Sequence, residues 1–275
     1  ESVQVDENNP GTMYVAFGSG NLWKTINNGI TWRPIFENQP SLGIGDIALA
    51  PSNSNIIYVG TGESLKKARN FTMPGTGMYR SIDAGETWKH IGLEDSWHIG
   101  EISVHPTNPD IVLVSVLGHF WSKNINRGIY KTEDGGKSWK HVLYIDESTG
   151  SNDIVISNSN PNIIYASMWE NNPGISGLNS GIYKSSDGGD TWKKLVDGLP
   201  YGNKMGRIGL AVSYSNPNKV YALIGNLSKN RSEAAEVYKT IDGGKLWKRT
   251  HNDELMIFPG TGWYFADIYV NPKDD

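Results

Sequence analysis

One eight-residue stretch occurs five times in this chain, and its spacing restricts the fold more than any other feature. The copies are Thr25-Ile-Asn27-Asn-Gly29-Ile-Thr31-Trp32, Ser81-Ile-Asp83-Ala-Gly85-Glu-Thr87-Trp88, Thr132-Glu-Asp134-Gly-Gly136-Lys-Ser138-Trp139, Ser185-Ser-Asp187-Gly-Gly189-Asp-Thr191-Trp192 and Thr240-Ile-Asp242-Gly-Gly244-Lys-Leu246-Trp247. Successive tryptophans stand 56, 51, 53 and 55 residues apart. A near-constant period of this size marks a repeat architecture, in which each unit buries its faces against its neighbours.

Each period carries four short strand signals. Apolar runs at 44–49, 99–104, 153–156 and 208–212 lead into Pro/Asn turns, and second runs follow at 56–60, 111–116, 163–168 and 220–224. Proline presets φ and asparagine tolerates left-handed backbone, so both suit the tight turn between paired strands. A longer, variable connection then reaches a third run such as Gly128-Ile129-Tyr130-Lys131, and the eight-residue stretch turns the chain into a fourth. Four antiparallel strands per fifty residues predict an all-β fold, a β-propeller of four-stranded blades. The expected blades are approximately 1–39, 40–95, 96–147, 148–200 and 201–252, with residues 253–275 starting the next and 266–270 as its opening strand. Five blades plus one strand leave faces unburied and edges unpaired, so the segment is expected to be truncated at both ends and completed by the remaining blades of a longer chain.

Within the repeated stretch the acid lies at a turn, two residues before a glycine. There it can accept hydrogen bonds from its own turn's amides, while the glycine takes positive φ without a steric penalty. Asn27 keeps the acceptor without the charge, and Leu246 lacks the hydroxyl found in the other copies. Five equivalent turns on five blades cannot converge on one substrate. Asn27, Asp83, Asp134, Asp187 and Asp242 are therefore read as structural turn locks.

Composition narrows the partners. A net charge of −4, with Lys and Arg scattered, gives no expectation of nucleic-acid binding. No apolar run is long enough to span a membrane as a helix. With no cysteine, neither a disulfide nor a thiolate metal site is available, and no cofactor or metal is expected.

The pattern Ser/Thr-x-Asp-x-Gly-x-Thr-Trp resembles the Asp-box, or BNR repeat, of sialidases, xyloglucanases, sortilin-type receptors and photosystem assembly factors. Together with turns such as His105-Pro-Thr-Asn-Pro109, the spacing is most similar to bacterial sortilin-like proteins described as BNR-repeat glycosyl hydrolases. The resemblance implies a propeller, and a secreted, periplasmic or cell-surface location. It leaves activity open, because enzymes, receptors and scaffolds share the repeat.

Propeller ligands bind where first strands open onto the central channel. Aligning the repeats there gives Asp46, His98, Glu101, Asp153, Arg207 and Asp267, and the loops after the second strands add Glu63, His119, Trp121 and Trp169. These ten are the candidate ligand-binding residues. An acidic, aromatic-rimmed mouth suits a polypeptide or glycan. The leading expectation is a binding propeller of sortilin type. The alternative is a glycoside hydrolase using two mouth carboxylates, with Glu101 and Asp153 as catalytic candidates. No complete catalytic constellation is legible. A sialidase would need an arginine cluster on its substrate's carboxylate, and only Arg207 falls at a channel position.

Overall fold

The structure is a computed structural model that describes residues 2–64, 72–172, 176–202, 205–226, 235–252, 255, 257 and 267–273. Among the described residues, twenty strands form five four-stranded antiparallel sheets, each in simple sequential order. The first holds β1 (Ser2–Val5), β2 (Met13–Ala16), β3 (Leu22–Thr25) and β4 (Arg33–Pro34), and the second β5 (Ile44–Ala50), β6 (Asn53–Thr61), β7 (Met78–Ser81) and β8 (Lys89–His90). The third holds β9 (Ile99–Val104), β10 (Val112–Val116), β11 (Gly128–Thr132) and β12 (Lys140–Leu143). The fourth holds β13 (Thr149–Ile156), β14 (Ile164–Glu170), β15 (Gly181–Ser185) and β16 (Lys193–Leu195). The fifth holds β17 (Met205–Val212), β18 (Val220–Asn226), β19 (Ala235–Thr240) and β20 (Lys248–Arg249). The one helical turn among the described residues is a 3-10 turn at Glu94–Ser96. These sheets are the blades of a β-propeller. Of the expected opening strand of a sixth blade, Ala266 lies outside the described residues, residues 267–270 form no strand among them, and Ile268 packs against Leu223 and Ala235.

Two compact units divide the chain: residues 1–119 with 130–141, and residues 120–129 with 142–275. In the first, Ile44, Ile47, Ile57 and Val59 of the second sheet form a core with Tyr14, Leu22, Ile35 and Phe36. In the second, Ile208, Leu210 and Ile224 pack with Tyr165, Ile182 and Leu195. The first three strands of each blade supply these cores with alternating apolar residues. The fourth strands are short and carry Arg33, Lys89, Lys140, Lys193 and Lys248, which protects exposed sheet edges from pairing.

The repeated stretch forms the same lock in each blade. In the second, Asp83 Oδ1 accepts the Ser81 hydroxyl at 2.7 Å and the Thr87 amide at 2.9 Å, and Oδ2 accepts the Thr87 hydroxyl at 2.6 Å. Ser81 Oγ in turn accepts the Gly85 amide at 2.8 Å, with Gly85 at φ +88. The Thr87 hydroxyl, the Thr87 amide and the Ser81 hydroxyl lower the Asp83 carboxyl to about 2 against the small effect of burial. Asp134 and Asp187 are held well below the ordinary range in the same way. Asn27 reproduces the pattern without charge, donating from Nδ2 to the Thr31 hydroxyl at 2.9 Å. With Leu246 in place of a hydroxyl, Asp242 accepts from Thr240 and from the amides of Lys245 and Leu246.

A second repeated device links blades. Tyr58, on the second strand of its blade, donates its hydroxyl to the Pro109 carbonyl of the next blade at 2.9 Å. Arg80, over the Tyr58 ring, pairs with Asp110 at 2.6 Å. Tyr165 and Lys184 repeat this toward Pro217 and Gly243, at 3.0 and 2.9 Å. Tyr14 and Lys24 both donate to the Ala84 carbonyl, at 3.3 and 2.8 Å. Tryptophans work in the reverse direction: Trp88 Nε1 donates to the Ile35 carbonyl at 2.7 Å and Trp139 Nε1 to Ile91 at 2.6 Å. In the third blade, Leu113 stands in place of the tyrosine, and Lys131 turns to Glu133 at 2.9 Å.

Candidate functional site

The strand-opening ends of the blades are built differently. Each first strand from the second blade onward slips register against its partner: between Ile44 and Asp46, across Ile99 to Ile102, between Ser151 and Asp153, and between Met205 and Ile208. A bulge inserts an extra residue, bends the strand and re-aims side chains. Asp46, Glu101, Asp153 and Arg207, the residues aligned in sequence, all lie at or beside these slips. Thr149–Ile156 and Met205–Val212 accordingly begin well before the apolar runs that announce them.

Two of the aligned acids face backbone. Asp46, 4% exposed, accepts the Ile102 amide at 2.8 Å. Burial pushes its carboxyl up to about 7, against the opposing pull of the Ser2 hydroxyl and the Ile102 and Ile47 amides. Asp153 accepts the Leu210 amide at 2.8 Å. Each acid thus ties its blade to the first strand of the next. Glu101 is partly exposed on β9. Arg207, buried on β17, pairs with the exposed Asp267 at 2.9 Å.

Of the other candidates, Glu63 is buried, with its carboxylate 3.4 Å from the Met73 amide. His98 is buried, with Nε2 3.5 Å from the Thr72 hydroxyl. Trp169 is 1% exposed on β14 and so offers no face to solvent. Trp121 is 46% exposed and meets Phe120 edge-on, with ring centroids 5.8 Å apart. Residues 65–71, 173–175 and 227–234, within the long loops, lie outside the described residues, as does Asn70 of the Asn70-Phe-Thr72 sequence.

His119 lies in a cluster that sequence alignment finds only in part. Its Nε2 is 2.9 Å from Asp95 Oδ1, and its ring stacks on Trp97 at 3.8 Å between centroids and 25° between planes. Trp97 is 39% exposed, and its backbone is unusual, at φ 57 and ψ −47. The His98 amide donates to the Ser96 carbonyl at 2.6 Å, closing a γ-turn around Trp97. For a bulky L-residue this turn is strained, at a cost of order 1–3 kcal/mol. Its surroundings enforce it. The Gly75 amide donates to the Trp97 carbonyl at 2.6 Å, and a Cβ on Gly62 (φ +91) would run into that carbonyl. Trp97 and Asp95 carry no repeat signal. Only their place beside His98, in the connection between blades, marks them.

No group of three or more His, Cys, Asp or Glu converges on a metal position among the described residues. What the strand-opening ends offer is exposed aromatic surface on their loops: Phe17 and Trp97 in the first unit, and Trp121, Tyr144 and Tyr201 in the second. Aromatic faces with a few polar groups suit ligands that combine apolar faces with hydroxyls.

Comparison with known proteins adds to this geometry. The xyloglucanase Xgh74A of Acetivibrio thermocellus is 25% identical over 348 aligned residues, covering 99% of this chain and 38% of that protein. Among solved structures, an ancestral GH74 enzyme superposes with a TM-score of 0.70 at 22% identity, over 99% of this chain and 33% of its own. YCF48 from Cyanidioschyzon merolae superposes at 0.51 and 15% identity, covering 90% and 83%. These two structural likenesses concern the fold. The chain spans under two-fifths of the xyloglucanase it matches. The family model described as "Sortilin, neurotensin receptor 3" (Sortilin-Vps10) matches residues 20–173, more than half of the chain. By that match the chain belongs to the sortilin–Vps10 family.

Proposed function

We propose that this chain is the glycan-recognising propeller segment of a xyloglucan-hydrolysing protein that works outside the cytoplasm. The observation that carries the proposal is the exposure of aromatic rings on strand-opening loops of each unit, Phe17 and Trp97 in the first and Trp121, Tyr144 and Tyr201 in the second, against Trp32 and Tyr214 at the turn-lock ends. Aromatic faces stack on the C–H faces of pyranose rings and gain from burying them. The scattered charge and the acidic groups tied to backbone do not favour a highly charged ligand. The similarity to a xyloglucanase along nearly the whole chain supports a glycan over a polypeptide, and hydrolysis over binding alone.

Hydrolysis of a glycosidic bond needs one carboxyl group to protonate the leaving oxygen and a second to activate water or attack the anomeric carbon. Glu101 and Asp153 remain the candidates for these roles. Asp153 brings to such a role a carboxylate that already accepts the Leu210 amide, as the buried Asp46, raised to about 7, accepts that of Ile102.

The test is calorimetric titration of the protein with xyloglucan oligosaccharides, together with assay of reducing ends released from xyloglucan by wild type, Glu101→Gln and Asp153→Asn. Binding by wild type, with turnover lost by at least a hundredfold in either variant while both stay folded, is the expected result. Absence of both binding and turnover in wild type refutes the proposal. Binding without turnover refutes its hydrolytic half.

A further inference from the structure

We infer that Trp97, backed by His119, is a stacking subsite for a β-linked, gluco-configured pyranose, with Asp95 placed to receive its hydroxyls. The inference rests on the glycan-binding reading above and names the residue and the sugar configuration.

The first ground is how the fold treats this side chain. Trp169 and Trp247 show what a packing tryptophan looks like here, each 1% exposed. Trp97 is instead 39% exposed, in a γ-turn that glycine would adopt more easily. The Gly75 amide and the closely fitting Gly62 keep it there, so the strain belongs to the surrounding structure and is not local slack. The strained turn leaves part of the indole at the surface while its other contacts are made to His119 and Gly75.

The second ground is the ring's surroundings. One side of the indole is covered by the His119 imidazole, and Asp95, 2.9 Å from His119 Nε2, fixes that imidazole in turn. An indole backed in this way presents a rigid face that loses little rotamer freedom when a ligand covers it. The Asp95 side chain is itself mostly exposed, a hydrogen-bond acceptor at the edge of the platform. A glucose unit in a β-linked chain has equatorial substituents, so its ring faces are C–H surfaces and its hydroxyls point outward around the rim. That shape matches a flat indole with an acceptor beside it. Mannose, with an axial 2-hydroxyl, roughens one face.

The experiment compares wild type, Trp97→Gly and Trp97→Phe by titration with cellotetraose, a xyloglucan oligosaccharide and mannotetraose, and by thermal unfolding. Trp97→Gly is expected to unfold at the wild-type temperature or above it, because the strain is relieved. Its affinity for the two glucans should fall at least tenfold. Trp97→Phe should keep most of the affinity, and wild type should prefer both glucans over mannotetraose. A folded Trp97→Gly protein with wild-type glucan affinity overturns the subsite and leaves the glycan-binding reading standing. A lower unfolding temperature for Trp97→Gly shows a packing role and overturns it as well. A wild type that binds none of the three overturns both readings.

Discussion

The two ends of each blade answer to different physical demands. At the turn-lock end, a carboxylate or amide closes its own loop, the glycine takes positive φ, and the tryptophan closes over neighbouring backbone. All of these bonds are local, or reach one blade along. At the strand-opening end, register slips, acids bond to the next blade's amides, and loops of unlike length expose unlike aromatics. Uniformity at one end gives the blades a common frame. Release from it at the other lets residues such as Trp97 adopt geometry that local preference opposes. Where copies agree the residues serve the fold, and where they diverge a site has room to arise.

The largest expected effect that would sharpen this contrast is Trp88→Ala. It removes the bond to Ile35 and the edge-on contact with Phe36 at 5.2 Å, and should destabilise by about 3 kcal/mol. Chemical denaturation measures the loss, and glycan binding by the folded fraction should be unchanged. A binding defect in that fraction would break the division between the two ends.

Next comes Asp46→Asn. The Asp46 carboxyl is raised in the folded state, so between about pH 4 and 7 the folded chain binds more protons than the unfolded chain. Stability from this group is therefore lost as pH rises through that window. The variant should unfold at a higher denaturant concentration than wild type at pH 8 and near the wild-type value at pH 4. The turn-lock acids have the opposite sign. Lowered in the folded state, Asp83 supports stability above about pH 4 that disappears as pH falls toward 2, so Asp83→Asn should flatten only the acid limb.

Tyr58→Phe removes one inter-blade hydrogen bond and should cost about 1 kcal/mol in the same assay. The smallest effect expected is a gain. Leu246→Thr restores the hydroxyl found in the other locks and should add about 0.5 kcal/mol, since Leu246 is already half exposed. No gain there would mean that the threonine hydroxyls elsewhere add little to their locks.

Much of the fold was legible because the turn lock is a local object. Asp83, Ser81, Gly85 and Thr87 lie within seven residues, so their chemistry can be read from spacing, and five copies average out the noise. The bulged polar positions were legible as a class, since Asp46 and Asp153 align between repeats. What they bond was not: Ile102 and Leu210 lie 56 and 57 residues away. Trp169 and Trp121 look alike as loop-adjacent tryptophans, yet one is buried in β14 and the other exposed. Trp97 and Asp95 went unread because they have no counterpart in other blades, and because no propensity favours positive φ for tryptophan.

The sequence by itself thus determined the repeat and the all-β propeller of four-stranded blades, since both depend on contacts short in sequence. Tertiary structure decided which carboxylates are buried, which aromatics face solvent and which strained turn survives. Those outcomes depend on neighbouring blades some fifty residues away, whose packing can override the preference of any single residue.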